Sequence, residues 1–252
     1  MPVQKLRKGK RAVGTMIRMI RHPGIGRIAA HAGLDFIMLD LEHGSYSLDA
    51  VADLFAAARA AGIGTFARVP ELAKGYVSRI MDCGATGVMV PMLESVEQAK
   101  RFVGWAKFAP LGDRGLGSSG GHTDYGGMGG SAPEFMKRAN EQTLTIAQIE
   151  TARAIEDIDS IAAVDGIDAM LIGPNDLAIS LGHAGDLMSS AVQEAIGKVA
   201  AAAARHRKIF GMHAGDALLE KWIPEGLTLV MSSLDIGVLS AGFKGISEKY
   251  ST

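Results

Sequence analysis

TLTIAQIETARAIEDIDSIAAVDGIDAMLIGPND, residues 143–176, contains two short apolar runs separated by a stretch of helical period. The runs are TLTIAQIE at 143–150 and DAMLIG at 168–173. A strand, a helix and a second strand in this order form a βαβ unit with parallel strands. Glu150 ends the first run and Asp176 closely follows the second, so we expect both carboxylates at the same end of the strands.

The same alternation extends along the chain and predicts six further strands. They are AVGTMIR (12–18), DFIMLD (35–40), GTFARV (64–69), TGVMVP (86–91), KIFGMH (208–213) and LTLVMSS (227–233). Eight strands favour a closed barrel, and 252 residues with 48% hydrophobic content suit a single α/β barrel domain. We therefore predict an α/β fold, a (β/α)8 TIM barrel formed by one domain over residues 1–252.

Alanine-rich stretches of helical period separate the strands. The clearest are residues 47–62, 95–107, 151–164 and 189–206. In the first of these, Ser47 is a suitable N-cap and Gly62 a suitable stop. We expect these helices to cover the barrel from outside.

Composition excludes several classes of function. The net charge of -1 creates no broad positive field, so nucleic acid and anionic membranes are not expected partners. No apolar stretch reaches the roughly 18 residues that span a bilayer. The stretch that follows the basic amino-terminal segment, GTMIRMIRHPG (14–24), is too short and too charged to be the apolar core of a signal peptide. The only cysteine, Cys83, can form no internal disulfide, which fits a reducing cytoplasm.

A glycine-rich segment at 109–133 interrupts the alternation and is too long for an ordinary connection. It contains GLGSSG (115–120), a match to the dinucleotide-binding fingerprint. We reject a dinucleotide site because no strand directly precedes this motif and no helix directly follows it. The segment is better interpreted as a functional or mobile loop that reaches the active-site mouth or a neighbouring subunit.

Glu150 and Asp176 are candidate ligands of a divalent metal ion. Most carboxylates are simply solvated, but these two follow neighbouring strands. Two carboxylates leave positions open on octahedral Mg²⁺ or Mn²⁺, and a 2-oxo acid could fill two of them. Pro174 favours an abrupt exit from the strand, so the backbone N–H groups of Asn175 and Asp176 could bind a substrate carboxylate.

Other polar residues also follow predicted strands. LDLEHG places Asp40 and Glu42 beside His43, and either carboxylate could orient the imidazole for proton transfer. Arg68, in TFARV, could stabilise a developing enolate oxygen, although a barrel-rim salt bridge is the alternative. Weaker candidates of the same kind are His213, Ser233 and Asp235.

No lysine occupies a position suited to Schiff-base chemistry, which needs a desolvated amine on a barrel strand. Lys208 begins its predicted strand and so lies at the opposite end from the acids. The others considered, Lys74, Lys100 and Lys107, fall in predicted helices or loops. Metal-assisted enolate chemistry is therefore favoured over covalent lysine chemistry.

Six ordered motifs resemble the HpcH/HpaI family of metal-dependent pyruvate aldolases. They are LDLEHG (39–44), FARVP (66–70), GATGVMVPMLES (84–95), LGDRGLGS (111–118), AQIET (147–151) and LIGPNDLAISLG (171–182). The resemblance implies cleavage of a 4-hydroxy-2-oxo acid to pyruvate and an aldehyde, or the reverse condensation. It also implies that Glu150 and Asp176 bind Mg²⁺, Mn²⁺ or Co²⁺, that Arg68 contacts the pyruvate oxygen, and that His43 pairs with Asp40.

The resemblance implies roles for further residues. Gln148 would orient a water molecule, and the segment with Gly173, Asn175 and Asp176 would hold the pyruvate carboxylate. The family is usually a homo-oligomer, trimeric or hexameric, formed by exchange of the last helix. Residues 118–130 depart from the family pattern, which leaves the aldehyde open; within them His122, Asp124 and Tyr125 either contact the distal end of the substrate or only decorate the loop.

Two alternative functions remain at this stage. One keeps the metal and the enolate but makes the chain an oxaloacetate decarboxylase or another enolate-forming lyase. The other is a metabolite-binding barrel without catalysis. Binding alone would need fewer polar groups than Asp40, His43 and Arg68 beside two metal-binding acids, which argues against the second.

Overall fold

In the computed structural model, which describes residues 1–251, eight parallel strands close a barrel in sequence order. The strands are β1 Ala12–Ile17, β2 Phe36–Asp40, β3 Gly64–Arg68, β4 Gly87–Val90, β5 Leu144–Ile149, β6 Ala169–Ile172, β7 Ile209–His213 and β8 Leu229–Leu234. Each lies within two residues of its predicted bounds. The predicted (β/α)8 barrel is confirmed, and all eight strands point their carboxyl ends to the same side.

The interior of the barrel is filled by large side chains facing glycines. Phe36 of β2 and Phe66 of β3 are fully buried and stack with their ring centroids 4.6 Å apart. A Cβ added at Gly14 would lie 2.5 Å from the Phe36 ring, and one at Gly87 would lie 2.6 Å from the Phe66 ring. The glycines of β1 and β4 therefore make the space that the two rings occupy.

Residues 1–251 contain twelve α-helices, most of which lie outside the strands. They are α1 Pro2–Arg7, α2 Gly24–His31, α3 Leu48–Ala60, α4 Lys74–Asp82, α5 Val96–Ala106, α6 Ala132–Gln142, α7 Ala152–Glu156, α8 Ile158–Ala162, α9 Pro174–Ser180, α10 Ser190–Arg205, α11 Asp216–Trp222 and α12 Asp235–Tyr250. Ser47 caps α3 as predicted, with its Oγ accepting from the Ala50 amide at 3.3 Å. The helix predicted over 151–164 is divided into α7 and α8 at Asp157.

The amino-terminal end of the barrel is closed by α1. Its Val3 and Leu6 are 2% exposed and join the interior core. Lys5 forms an ion pair with Asp35 at 2.8 Å, and Arg7 forms one with Asp168 at 2.8 Å. Because α1 is tied to the start of two strands, it covers the amino-terminal end of the interior.

The glycine-rich segment lies at the amino-terminal end, not at the active-site mouth of its own chain. Arg59, near the end of α3, donates to the Gly121 carbonyl and forms an ion pair with Asp124 at 2.8 Å. The prediction that this segment reaches the active-site mouth of its own chain is wrong, because α5 runs back toward the amino-terminal end of the barrel before the segment begins. A contact with a neighbouring subunit stays a prediction.

Lys107, directly after α5, is buried at the same end of the barrel. It is 1% exposed, and its Nζ lies 2.7 Å from Asp168 and 2.8 Å from the Thr143 carbonyl. Burial lowers the pKa of this amine, while the charge and hydrogen bond of Asp168 act in the opposite direction. Although it is desolvated, Lys107 lies far from the open end and is occupied by structural contacts.

The last helix, α12, is anchored to its own barrel by its buried first residue, Asp235, and most of its remaining length is exposed. Its apolar residues Val238, Phe243 and Ile246 are 56%, 67% and 61% exposed. Most such side chains in a folded protein are covered, so this helix carries an apolar surface suited to another chain. Within residues 1–251 no helix combines the length and apolarity needed to cross a membrane.

Candidate functional site

A cavity of about 310 Å³ lies at the carboxyl ends of the strands. Six of the sequence-predicted site residues line it: His43, Arg68, Gln148, Gly173, Asn175 and Asp176. A larger groove of about 660 Å³ lies at the opposite end, around Lys107 and Asp168. Arg7 and Lys107 of that groove are both paired with Asp168, and active sites of this fold lie at the carboxyl end of the strands, so the carboxyl-end cavity is the candidate active site.

Arg68 and Asp40 form a buried, bidentate ion pair beside this cavity. The Arg68 Nε donates to Asp40 Oδ1 at 2.9 Å, and Nη2 donates to Oδ2 at 2.8 Å. Asp40 is fully buried and Arg68 is 6% exposed. Burial acts to raise the pKa of Asp40, but the hydrogen bonds and charge of Arg68 outweigh it and the pKa lies below its ordinary value. Asp40 is therefore ionised and holds the arginine in place.

The carboxylate next to the His43 ring is Glu42 rather than Asp40. The His43 Nε2 lies 3.9 Å from Glu42 Oε2, whereas Asp40 accepts only the backbone N–H of His43, at 3.3 Å. The side-chain pair expected between His43 and Asp40 is not formed, because Arg68 occupies both oxygens of Asp40. Glu42 also lies 2.9 Å from Arg68 Nη1, and burial raises its pKa.

Glu150 follows β5 and is 2% exposed. Its Oε1 accepts the backbone N–H of Met92 at 2.8 Å, and its Oε2 accepts from the side chain of Gln148. Burial raises the pKa of Glu150 to about 7; the charges of Asp176 and Glu42 add to this, while the two hydrogen bonds oppose it. Met92 has a left-handed φ of 51°, which costs a non-glycine residue about 1–2 kcal/mol.

Gly173 lies between β6 and α9, where no other residue would fit. A Cβ at this position would lie 2.8 Å from Gln148 Nε2 and still closer to the Glu150 carboxylate. Asp176 follows in the first turn of α9 and is exposed to the cavity. In the described part of the chain, the backbone N–H groups of Asn175 and Asp176 donate to no carbonyl. They are available to an anion in the cavity.

The donor set around Glu150 suits a hard divalent cation. The charge of Asp176 acts on Glu150, and the buried Gln148 Oε1 has no hydrogen-bond partner in residues 1–251. Among these residues no group of three or more His, Cys, Asp or Glu is arranged to hold a metal ion. Two carboxylates fit an octahedral ion completed by water and substrate, and they do not fit a closed zinc site.

Arg18, which was not among the residues predicted from the sequence, also lines the cavity. Its Nε donates to Asp40 Oδ2 at 2.9 Å. Arg18 ended the first predicted strand just as Arg68 stood near the end of the third, so its position was a usable signal. His213, a weaker candidate, lines the same cavity, and its Nε2 donates to the Ser233 carbonyl at 2.9 Å.

Comparisons with known proteins agree on one family. The model of the family described as HpcH/HpaI aldolase/citrate lyase matches residues 19–238. A "4-hydroxy-2-oxovalerate aldolase" of Novosphingobium aromaticivorans is 35% identical, over 94% of this chain and 89% of the relative. A "5-keto-4-deoxy-D-glucarate aldolase" of Klebsiella pneumoniae is 30% identical, over 87% of this chain and 84% of the relative.

Solved structures show the same similarity. The crystal structure of an HpcH/HpaI aldolase from Desulfitobacterium hafniense DCB-2 superposes with a TM-score of 0.90 and 37% sequence identity. The match covers 97% of this chain and 96% of that one, so barrel, connections and the last helix have counterparts there.

Proposed function

Because the chain belongs to the HpcH/HpaI aldolase/citrate lyase family, whose members include the two aldolases above, we propose that it is a divalent-metal-dependent pyruvate aldolase. It would cleave a 4-hydroxy-2-oxo acid to pyruvate and an aldehyde, or run the reverse condensation. The observation that carries the proposal is that Asp176 and Arg68 line one cavity at the carboxyl end of the barrel, with Glu150 buried against Gly173 of its lining. The name of the N. aromaticivorans relative specifies a substrate of this class.

In this proposal Glu150 and Asp176 hold Mg²⁺, Mn²⁺ or Co²⁺. Such an ion, when bound, supplies Lewis-acid polarisation of the 2-oxo group. The unpartnered Gln148 Oε1 would hold a water molecule next to Glu150. The carboxylates repel each other without a cation, and this is one cause of the raised pKa of Glu150.

Arg68 would stabilise the negative charge that develops on the 2-oxo oxygen. A guanidinium has five N–H donors, and the two hydrogen bonds to Asp40 leave others for the substrate. The ionised Asp40 fixes the orientation of these donors before the substrate arrives. A preorganised charge of this kind stabilises an enolate without reorganisation during the reaction.

The carboxylate of pyruvate would bind at the start of α9. There the amides of Asn175 and Asp176 lack intrahelical acceptors, and Gly173 lets the substrate approach the backbone. This orientation directs the reacting carbons toward His43 and Arg68, which line the same cavity.

His43 is the proposed proton-transfer group. It would take the proton of the 4-hydroxyl in cleavage, or a proton of the pyruvate methyl in condensation. Glu42, 3.9 Å from Nε2, is the carboxylate placed to stabilise the protonated ring. In this proposal Asp40 orients Arg68, and Glu42 takes the place beside His43 that the sequence suggested for Asp40.

The direct test is deuterium exchange into the methyl group of pyruvate, followed by proton NMR. We expect no exchange with chelator-treated protein and exchange after Mg²⁺, Mn²⁺ or Co²⁺ is restored. The variant Arg68→Ala should lose exchange, while Arg21→Ala, outside the cavity, should keep it. Absence of exchange with every metal would reject the proposal in favour of a non-catalytic binding barrel. Exchange accompanied by turnover of oxaloacetate, and of no hydroxy-oxo acid, would favour the decarboxylase.

We further propose that the protein is a homo-oligomer, a trimer or hexamer assembled by exchange of α12. The support is the exposed apolar surface of this helix, around Val238, Phe243 and Ile246. A helix that leaves its own barrel can cover the neighbour's barrel at little cost. In the reducing cytoplasm that we propose as its location, Cys83 would remain a thiol.

A further inference from the structure

Arg18 brings a second arginine into the catalytic cavity, and most of its donors are unused. Its Nε binds Asp40 at 2.9 Å, and its side chain is 29% exposed. Neither Nη1 nor Nη2 has an acceptor anywhere in residues 1–251. Four N–H groups of this partly exposed side chain therefore lack protein partners in a wall of the cavity.

The backbone around Arg18 is rigidly held. Asp235, which is 4% exposed, accepts the amides of Arg18, Met19 and Ile20 at 3.1, 2.9 and 2.8 Å. The Asp235 carboxylate is therefore hydrogen-bonded to backbone amides and is not paired with the Arg18 guanidinium. A Cβ at Gly44 would lie 3.4 Å from Arg18 Cγ, so the Asp40–Gly44 loop packs against the side chain. An arginine held this way loses little entropy when it binds a ligand.

His213 contributes no competing charge at this end of the cavity. Its Nε2 faces the Ser233 carbonyl at 2.9 Å, and a carbonyl only accepts, so Nε2 carries the proton. Burial lowers the pKa of His213, and the positive charges of Arg68 and Arg18 lower it further. Arg68 is paired with Asp40 and Glu42, and its remaining donors are assigned to the 2-oxo oxygen, which leaves Arg18 as the cation of the lining that is available to a second anionic group.

The position of Arg18 corresponds to the distal end of a substrate. Glu150 and Asp176 follow β5 and β6, whereas Arg18 follows β1, on the other side of the barrel mouth. Leu234 of β8 lines the cavity next to it. A substrate whose 2-oxo acid end lies at β5 and β6 therefore extends its other end toward Arg18.

We propose that Arg18 is a specificity-determining residue that binds a carboxylate at the far end of the aldehyde portion of the substrate. This rests on the proposed function, because that function places the pyruvate portion at Glu150 and Asp176. A guanidinium with two free Nη groups matches the two oxygens of a carboxylate.

The test compares 2-oxoadipate with 2-oxohexanoate, six-carbon acids that differ in a terminal carboxylate against a methyl group. Their dissociation constants are measured by titration calorimetry on the full chain with saturating Mg²⁺. We expect the wild-type protein to bind 2-oxoadipate at least about tenfold more tightly. Arg18→Leu should reduce this ratio to within about twofold. Both dissociation constants are measured on the same preparation of each protein, so an unfolded fraction affects both acids equally and leaves their ratio unchanged.

The matched control is Arg21→Leu, which removes the same charge three residues away. Arg21 is exposed, and its Nη2 binds the carbonyl and hydroxyl of Ser45 at 2.8 and 2.7 Å. This control should retain the preference for the diacid. A wild-type ratio near one would overturn the proposal, as would an equal loss for both acids in Arg18→Leu or a loss of preference in Arg21→Leu. If the wild-type protein catalysed no deuterium exchange into pyruvate, the aldolase activity would be rejected. The ratio of the two dissociation constants would still decide the role of Arg18.

Discussion

Asp40 and Arg68 face each other across neighbouring strands, in register at the last pair of β2 and β3. This register places the guanidinium directly against the carboxylate, with hydrogen bonds of 2.9 and 2.8 Å. Arg18 adds a third contact at 2.9 Å from the end of β1. One buried carboxylate therefore orients both arginines of the cavity.

The substitution Asp40→Asn would test this arrangement. It removes the anion shared by the buried Arg68 and by Arg18, so we expect the free energy of unfolding to fall by about 3 kcal/mol. Urea denaturation measures this change. The control Glu248→Gln removes the acid of an exposed pair with Lys244 and should change stability by less than about 1 kcal/mol. Equal effects of the two substitutions would show that Asp40 has no special structural role.

The substitution Gly173→Ala should weaken metal binding, because its Cβ would press on Gln148 and Glu150. We expect the Mn²⁺ dissociation constant from calorimetry to rise by about tenfold or more. Gly215→Ala is the matched control, since Gly215 also precedes a helix with negative φ and has no atom within 4 Å of an added Cβ. Unchanged metal affinity in Gly173→Ala would contradict the placement of the ion at Glu150.

Metal affinity should depend on pH through Glu150. Its pKa of about 7 means that a proton competes with the ion below that pH. We expect the apparent Mn²⁺ dissociation constant to rise about tenfold per pH unit below 7 and to level off above it. The control Glu141→Gln, at the other end of the barrel, should leave this profile unchanged, whereas Glu150→Gln should abolish tight binding at every pH.

Ionisation of Glu150 at high pH favours metal binding, but it destabilises the metal-free protein. The folded pKa of Glu150 lies above the ordinary value of 4.5, so its contribution to stability is complete below pH 4.5 and is lost as the pH rises through about 7. Mn²⁺ should therefore raise the thermal unfolding midpoint more at pH 8 than at pH 5.5. A larger shift at the lower pH would conflict with a buried, protonatable ligand.

The substitution Phe243→Glu should reduce the size of the oligomer. Phe243 is 67% exposed on α12, and a charge there would oppose its burial against a neighbour. Light scattering after size-exclusion chromatography measures the mass. Lys244→Gln, one residue further along the same helix, should preserve the oligomer because it exchanges one polar side chain for another and introduces no new charge. A monomeric wild-type protein would refute the exchange of α12.

Much of the fold could be predicted because its signals are local. Each strand is a short apolar run ending in a polar residue, and right-handed βαβ connections bring all such ends to one side. Glu150 directly follows β5, Asp176 follows β6 and Arg68 ends β3, so their placement at the carboxyl end of the barrel required no knowledge of side-chain packing. Helix α6 also carried a local signal that was overlooked, since Glu134 Oε2 accepts the Ser131 amide at 2.9 Å in a capping box.

Contacts between distant segments followed from packing alone. Asp40 lies three residues from His43, yet it binds Arg68, because the register of β2 and β3 sets that distance and sequence separation does not. The segment around Gly121 turns to the closed end because it is fixed by Arg59, far earlier in the chain. Periodicity in a sequence records which face of each element is buried, whereas the partner of a polar side chain depends on strand register and loop packing in three dimensions.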